Sequence, residues 1–134
     1  MLQHTIPPIF DENSKILILG SFPSVKSREA QFFYGHPQNR FWRVLAALFA
    51  CPLPVTVEEK TALLLNNGIA LWDVIARCDI EGSSDASISN VIPNDLRIIT
   101  QAADIKRIFT NGGTASRYYK TYCFQQTGIN AVML

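Results

Sequence analysis

Ile16-Leu17-Ile18-Leu19-Gly20-Ser21-Phe22-Pro23-Ser24 opens the stretch that decides the fold, and Gly35-His36-Pro37-Gln38-Asn39-Arg40-Phe41-Trp42-Arg43-Val44-Leu45 closes it. The run from Lys15 to Leu19 is apolar on both faces, the pattern of a central parallel strand. Gly20 supplies backbone freedom where that strand ends, and Pro23 removes a ladder donor and fixes the turn. From Arg40 to Ala50 the period is helical. Phe41, Val44, Leu45, Leu48 and Phe49 fall on one face, and Arg40 and Arg43 sit together on another. Between strand and helix runs a long loop rich in aromatic and basic residues. Unstructured connections of that length are uncommon in compact domains and usually carry function, so the active site is expected here.

The remaining residues repeat the alternation. Residues 1–14 read as an irregular lead-in. Thr56 with Glu59 forms a capping box, which predicts a helix from Val57 to Leu65, and Asn66-Asn67-Gly68 terminates it. Ile69 to Trp72 is a second strand with Asp73 at its end. Gly82-Ser83-Ser84-Asp85 is a surface loop by composition. Pro93 suits a first helical position and predicts a helix over Asn94 to Ala102. Ile105 to Thr110 is a third strand, ending in Asn111-Gly112-Gly113. Thr114 can cap a helix reaching Gln125, Gly128 ends it, and Ile129 to Leu134 begins a fourth strand. Strands alternating with helices predict an α/β fold, a three-layer α/β/α sandwich on a four-stranded parallel sheet. The whole reads as a single domain.

Composition narrows the class. With 134 residues, 48% hydrophobic and 17% charged, the chain has the make-up of one folded domain with a real core. Pro7-Pro8 and Asp11-Glu12 are unlike a signal peptide, and no apolar run is long enough to span a bilayer, so a soluble cytoplasmic protein without membrane contact is expected. Cys51, Cys78 and Cys123 lie far apart without CxxC spacing, which argues against a disulfide framework and against a zinc or iron–sulfur site. No metal or cofactor is expected. The net charge of +1 says little, but Lys26, Arg28, Arg40 and Arg43 cluster in the organising stretch against Glu29 alone. Such an excess beside a loop suits a phosphate-bearing ligand; it also suits an ordinary solvated face.

In open parallel sheets ligands bind outside the carboxyl ends of the strands. Ser21 to Ser24, Asp73 and Asn111 stand just past those ends and should share one rim with Tyr34 and Asn39. Neither a GxxxxGK[ST] nor a GxGxxG loop is present. Asp73 reads as a capping or structural carboxylate at a strand end. His36 offers a proton to a phosphate or a departing group, though loop histidines are more often structural.

Gly20-Ser21-Phe22-Pro23 resembles the first motif of the uracil-DNA glycosylase superfamily. His36-Pro37-Gln38-Asn39-Arg40-Phe41-Trp42 resembles the segment that follows it at matching spacing. The closer match is the hypoxanthine-DNA (deoxyinosine) glycosylase family, which has no polar catalytic residue in the first turn, as Phe22 here. Gly68 to Ile75 and Phe109 to Gly112 resemble that family too. The resemblance implies a DNA repair enzyme that hydrolyses the N-glycosidic bond of a deaminated base, hypoxanthine or uracil, flipped out of DNA. Asn39 is then the catalytic residue that positions water; on spacing alone it is an ideal helix N-cap. Tyr34 becomes a platform for the flipped base, or else a packed loop tyrosine. Asn111 pairs with the base edge, or else makes an ordinary Asn-Gly turn. Gly20, Ser21, Phe22 and Pro23 would shape the base pocket, the amides of Ser21 and Phe22 binding a base carbonyl. Ser24, Lys26, Arg28 and Arg43 would meet DNA phosphates.

The superfamily's second motif follows the fourth strand as a Pro-Ser-rich loop and a final helix. The residues here end at Ala131-Val132-Met133-Leu134, where that loop would begin. On that reading the sandwich is truncated at its fourth strand, the uncovered sheet face favours self-association, and these residues alone are not expected to turn over. The competing reading is a non-catalytic nucleic-acid-binding α/β domain. A small-molecule nucleotide-binding protein is disfavoured by the missing phosphate loop.

Overall fold

A computed structural model describes residues 1–36 and 39–134, so Pro37 and Gln38 of the His36–Trp42 segment lie outside the described residues. The strands in chain order are β1 (Leu2–Gln3), β2 (Ile16–Gly20), β3 (Ile69–Asp73), β4 (Ile75–Asp79), β5 (Ser89–Pro93), β6 (Arg107–Thr110) and β7 (Ala131–Met133). The helices are α1 (Val25–Ala30), α2 (Phe41–Leu48), α3 (Val57–Asn66), α4 (Arg97–Thr100), α5 (Gly113–Tyr118) and α6 (Phe124–Thr127). A π-helical turn, Tyr119–Cys123, joins the last two.

The parallel sheet has four strands in the order β3-β2-β6-β7. β2 is hydrogen-bonded on both sides, with Ile18 facing Leu71 in β3 and Phe109 in β6. Its residues Leu17 and Leu19 are fully buried, as an apolar run without alternation requires. Helices flank both faces. α2 lies over the side that carries Ile16, Ile18 and Phe109. α5 and the π-helical turn lie over the side that carries Ala131 and Met133. The capping box at Thr56 forms as its sequence dictates: Thr56 Oγ1 accepts from Glu59 N–H, and the Glu59 carboxylate accepts from Thr56 N–H.

Four expectations are corrected. The connection from β2 to α2, expected to be an unstructured loop, holds helix α1, which Ser24 caps. The lead-in is structured: β1 pairs antiparallel with β4, Ile6 and Ile9 are buried, and Ile9 exchanges backbone hydrogen bonds of 2.9 and 2.8 Å with Leu71. This segment covers the free edge of β3, an edge that alternation in residues 1–14 does not announce. Pro93 opens no helix. It ends β5, the outer strand of a second, antiparallel sheet in the order β1-β4-β5, where a missing N–H costs no ladder bond; the following helix shrinks to Arg97–Thr100. Thr114 is not a cap: α5 starts at Gly113 after Gly112, and regular helix yields to the π-helical turn before Gly128 closes it in a left-handed conformation, φ 69°.

The apolar stripe of α2 is also only partly buried. Trp42, Leu45 and Ala46 enter the core, while Val44 and Leu48 are 54% and 70% exposed and line an open apolar groove with Ile16, Phe109 and Leu134. Burial therefore predicts a sharp contrast. Leu64→Ala, in a fully buried position of α3, should lower unfolding free energy in urea by about 2–5 kcal/mol. Leu48→Ala should stay within about 0.5 kcal/mol of the parent. The reverse order would place Leu48 in the core, as helical period alone suggests.

Candidate active site

The chain runs from β2 to β3 on one side of the sheet and later to β6 on the other. A crevice opens outside the carboxyl ends of β2 and β6, where the strand order reverses. Backbone hydrogen bonds tie its walls together. Asn111 N–H reaches the Leu19 carbonyl at 2.8 Å, Val74 N–H the Gly20 carbonyl at 2.8 Å, and Ile75 N–H the Ser21 carbonyl at 3.0 Å. The crevice is a cleft of about 170 Å³, and Gly20, Ser21, Phe22, Pro23, Ser24, Tyr34, Asn39 and Asn111 all line it. The rim read from strand ends is thus assembled. Asp73, Ser27 and Phe33 line it as well.

Asp73 is the deepest polar wall. It ends β3, opposite Gly20 at the end of β2. One carboxylate oxygen, Oδ2, meets His4 Nε2 at 2.8 Å, with only 1% of the His4 side chain and 6% of the Asp73 side chain exposed. The other, Oδ1, lies against Gly20, where an added Cβ would collide with it and meet the Tyr34 hydroxyl at 3.4 Å. Gly20 is therefore required for close approach. The His4 ring is walled by Phe22, Phe33 and Trp72 at centroid distances of 6.1, 6.1 and 6.4 Å. Asn94 Nδ2 donates to the Asp73 carbonyl at 2.8 Å and fixes the strand end from behind.

Tyr34 sits in the left-handed region, φ 51°, which is costly for a bulky residue and tolerated where surroundings enforce it. Its ring stacks on Phe41, centroids 4.1 Å apart and planes 22° apart, so one of its faces is already covered. Its hydroxyl accepts from Asn111 Nδ2 at 3.0 Å. Burial pushes the phenol well above its ordinary pKa and the Asp73 charge adds to this, while the Asn111 hydrogen bond opposes both. Tyr34 therefore stays a neutral O–H donor. Asn39 Oδ1 accepts from Phe41 N–H at 2.8 Å, at the start of α2. The N-cap of α2 is Arg40, whose side chain makes no cap bond, so Asn39 is not the expected cap: it braces the chain one residue earlier, and its oxygen keeps a second lone pair for the cleft.

The four phosphate candidates part company. Ser24 is the N-cap of α1, its Oγ accepting from Ser27 N–H at 3.2 Å. Lys26 is exposed and 3.6 Å from Glu29. Arg28 is occupied: its guanidinium donates to the Gly82 carbonyl and lies 5.8 Å from the Phe22 ring. Arg43 is exposed and lines a second cleft of about 190 Å³ with Lys60, His36 and Trp42. Lys60 lies over the Trp42 ring at 5.4 Å. Periodicity missed His4, which reaches the site only through a tertiary contact, and Lys60, which lines the second cleft. Asp73 was expected on the rim from its strand end, but only as a structural carboxylate.

With this geometry in place, comparison with known proteins is decisive for family. The model of the uracil DNA glycosylase superfamily matches residues 7–133, and the chain belongs to that superfamily. Among curated relatives, the hypoxanthine DNA glycosylases of Methanosarcina barkeri and Methanosarcina acetivorans are 35% and 37% identical over 120 residues. Each match spans 88% of this chain and 76% of the relative. A solution NMR structure of a Methanosarcina acetivorans protein, described as a candidate uracil DNA glycosylase, superposes with a TM-score of 0.82 at 34% identity. That match covers 96% of this chain and 80% of that one, so the α/β fold with its four-stranded parallel sheet is the superfamily's.

The contact between Asp73 and Gly20 yields a direct test. Gly20→Ala should lower unfolding free energy by about 1–3 kcal/mol, because the methyl must displace a buried carboxylate rather than a flexible side-chain end. Gly112→Ala, where nothing lies within 4 Å of the added carbon, is strained only by its φ of 101°. An unaffected Gly20→Ala protein would remove Asp73 from the position described.

Proposed function

We propose that this domain hydrolyses the N-glycosidic bond of a deaminated base in DNA, with hypoxanthine the preferred leaving base and uracil a second. The observation that carries the reading is the meeting of Asn39, Tyr34 and Asn111 in one small cleft at the strand ends. A base inside a duplex cannot reach such a cleft, so the nucleotide must swing out of the stack. Water then adds through its oxygen to the sugar's anomeric carbon, and the proton it loses ends, by way of solvent, on the departed base. The bond to the base nitrogen breaks, and the base takes the electron pair. The transition state resembles an oxocarbenium ion. Asn39 Oδ1, held by its bond to Phe41 N–H, offers its second lone pair to orient the water. The Tyr34 hydroxyl and the backbone amides of the Ser21–Phe22 turn are donors suited to a base carbonyl on which charge develops. Nothing in these steps calls on a metal or cofactor. In cells the reaction would serve repair of deaminated DNA.

One observation favours the competing, non-catalytic reading: the Asn39 oxygen is already engaged by Phe41 N–H at the entry to α2. Two variants separate the roles. In the complete enzyme, Asn39→Ala should lower hypoxanthine release from a labelled deoxyinosine duplex, read as alkali-revealed abasic sites, by about a hundredfold or more. Asn39→Ser retains a short side-chain oxygen able to accept from the N–H two residues on, and should restore thermal stability without restoring cleavage. Release at the parent rate by either variant would leave Asn39 a structural residue alone. Parallel duplexes with uracil and xanthine rank the bases.

DNA affinity should fall steeply with added salt as counterions are released. Because Arg28 is tied to the Gly82 carbonyl and Arg43 is not, the two should behave differently. Arg43→Ala should flatten the slope by about one unit. Arg28→Ala should chiefly lower the melting temperature. A salt-independent affinity would remove DNA from the partners.

A further inference from the structure

We propose that Asp73, held by His4, is the specificity-determining acceptor of the cleft, taking the ring N–H that deamination creates on a base. The proposal rests on the glycosylase reading above and adds to it the group that tells a deaminated base from its parent. Adenine presents a lone pair at N1 beside an exocyclic amine, and cytosine does the same at N3. Deamination reverses both signs: the ring nitrogen gains a hydrogen, and the amine becomes a carbonyl. Hypoxanthine, xanthine and uracil all carry this N–H beside C=O. A site that reads the change needs an acceptor next to a donor.

The cleft has that pair. An ionised carboxylate only accepts hydrogen bonds. Asp73 Oδ2 is taken by His4, and Oδ1 faces the Gly20 side of the cleft. Beside it stands the Tyr34 hydroxyl, flanking the same point at the end of β2. Since that hydroxyl accepts from Asn111 Nδ2, its own hydrogen is directed elsewhere and can meet a carbonyl. Asp73 Oδ1 with Tyr34 O–H thus mirrors N–H beside C=O. Against adenine the same pair sets lone pair against lone pair and hydrogen against hydrogen. A site built around a buried polar group rejects the ligand that leaves it unpaired far more strongly than an apolar pocket rejects a change of shape.

His4 makes the carboxylate a fixed one. With Asp73 ionised, the His4 nitrogen facing it carries the proton and donates. The aromatic wall of Phe22, Phe33 and Trp72 leaves the imidazole little room to turn. His4 is thus a positioning residue: it occupies Oδ2 and turns Oδ1 toward the base. The carboxylate separates deaminated bases from adenine and cytosine; it would accept from guanine and thymine too. Those two are protected at the earlier step, because a matched, well-stacked base is the most costly to extrude.

Asp73→Asn is the diagnostic change. The His4 N–H retains the carboxamide oxygen and turns the NH₂ group into the cleft, a donor where the base needs an acceptor. Two readouts are taken on the same proteins: single-turnover release of hypoxanthine from a deoxyinosine duplex, and the ratio of affinities for deoxyinosine over deoxyadenosine duplexes by fluorescence anisotropy. In Asp73→Asn, release should fall by about a hundredfold or more and the ratio should collapse toward one or invert. Affinity for undamaged duplex, set by phosphate contacts, should stay within about twofold. His4→Gln, whose amide can still donate to Oδ2, should keep the parent ratio, and His4→Leu should lose it. If Asp73→Asn fails to fold, the two His4 variants decide, and equal ratios in both overturn the proposal. If the parent protein releases hypoxanthine and Asp73→Asn does so with the same preference, this assignment falls while the glycosylase reading stands. A parent protein that neither prefers nor cleaves deoxyinosine overturns both.

Discussion

The structure depends on one crowded junction, the end of β2 at Gly20. β2 is paired on both sides, and its apolar residues are buried against helices on either face, so its direction and register are fixed by every neighbour. The strand must stop where the order of the sheet reverses, and there it meets the end of β3. Only a residue without a side chain lets the Asp73 carboxylate lie against that stop. From this contact the rest follows in sequence. Asp73 calls for a partner, and His4 reaches it from the far end of the chain; the lead-in that brings His4 also seals the edge of β3. The turn after Gly20 then forms the floor of the cleft.

The loop above that floor is built on aromatic stacking. Phe32 stacks on Trp42, and Tyr34 on Phe41, so the approach to α2 is clamped to the first turn of that helix. This explains how a residue with a left-handed backbone is tolerated at Tyr34. It also explains why Asn39 can brace the entry to α2 and line a cleft at once: the approach to the helix and the cleft wall are the same place. Stability and the proposed chemistry share these side chains, and their separation requires substitutions that preserve one and remove the other.

Much of this was legible in the residues, for identifiable reasons. Apolar runs without alternation, as in Ile16–Leu19 and Ile69–Trp72, announce buried parallel strands, and the resulting sheet has the predicted four strands. The rim at the strand ends follows from that topology, which is why Ser21, Tyr34, Asn39 and Asn111 were expected together and are found together. What stayed hidden depends on contacts between distant segments. Nothing near His4 indicates Asp73, 69 residues away. β1, β4 and β5 are short and irregularly registered, and their polar residues resemble loop composition, so a second sheet went unread. The broad apolar stripe of α2 exceeds what the described residues cover, and so Val44 and Leu48 read as core when they line a groove. Charge in a sequence likewise does not show that the Arg28 guanidinium, expected at a phosphate, also donates to the Gly82 carbonyl.

The central claim is that substrate enters the crevice outside the carboxyl ends of β2 and β6. Backbone amide chemical shifts, followed while a duplex carrying a non-hydrolysable deoxyinosine analogue is added, test it most directly. The account predicts that the largest perturbations fall on Ser21, Phe22, Tyr34, Asn39, Asp73 and Asn111, and that the unmodified duplex leaves Asp73 and Asn111 nearly unmoved. Perturbations centred instead on Ser116, Lys120 and Met133, which line a cleft on the opposite side of the sheet, would contradict it.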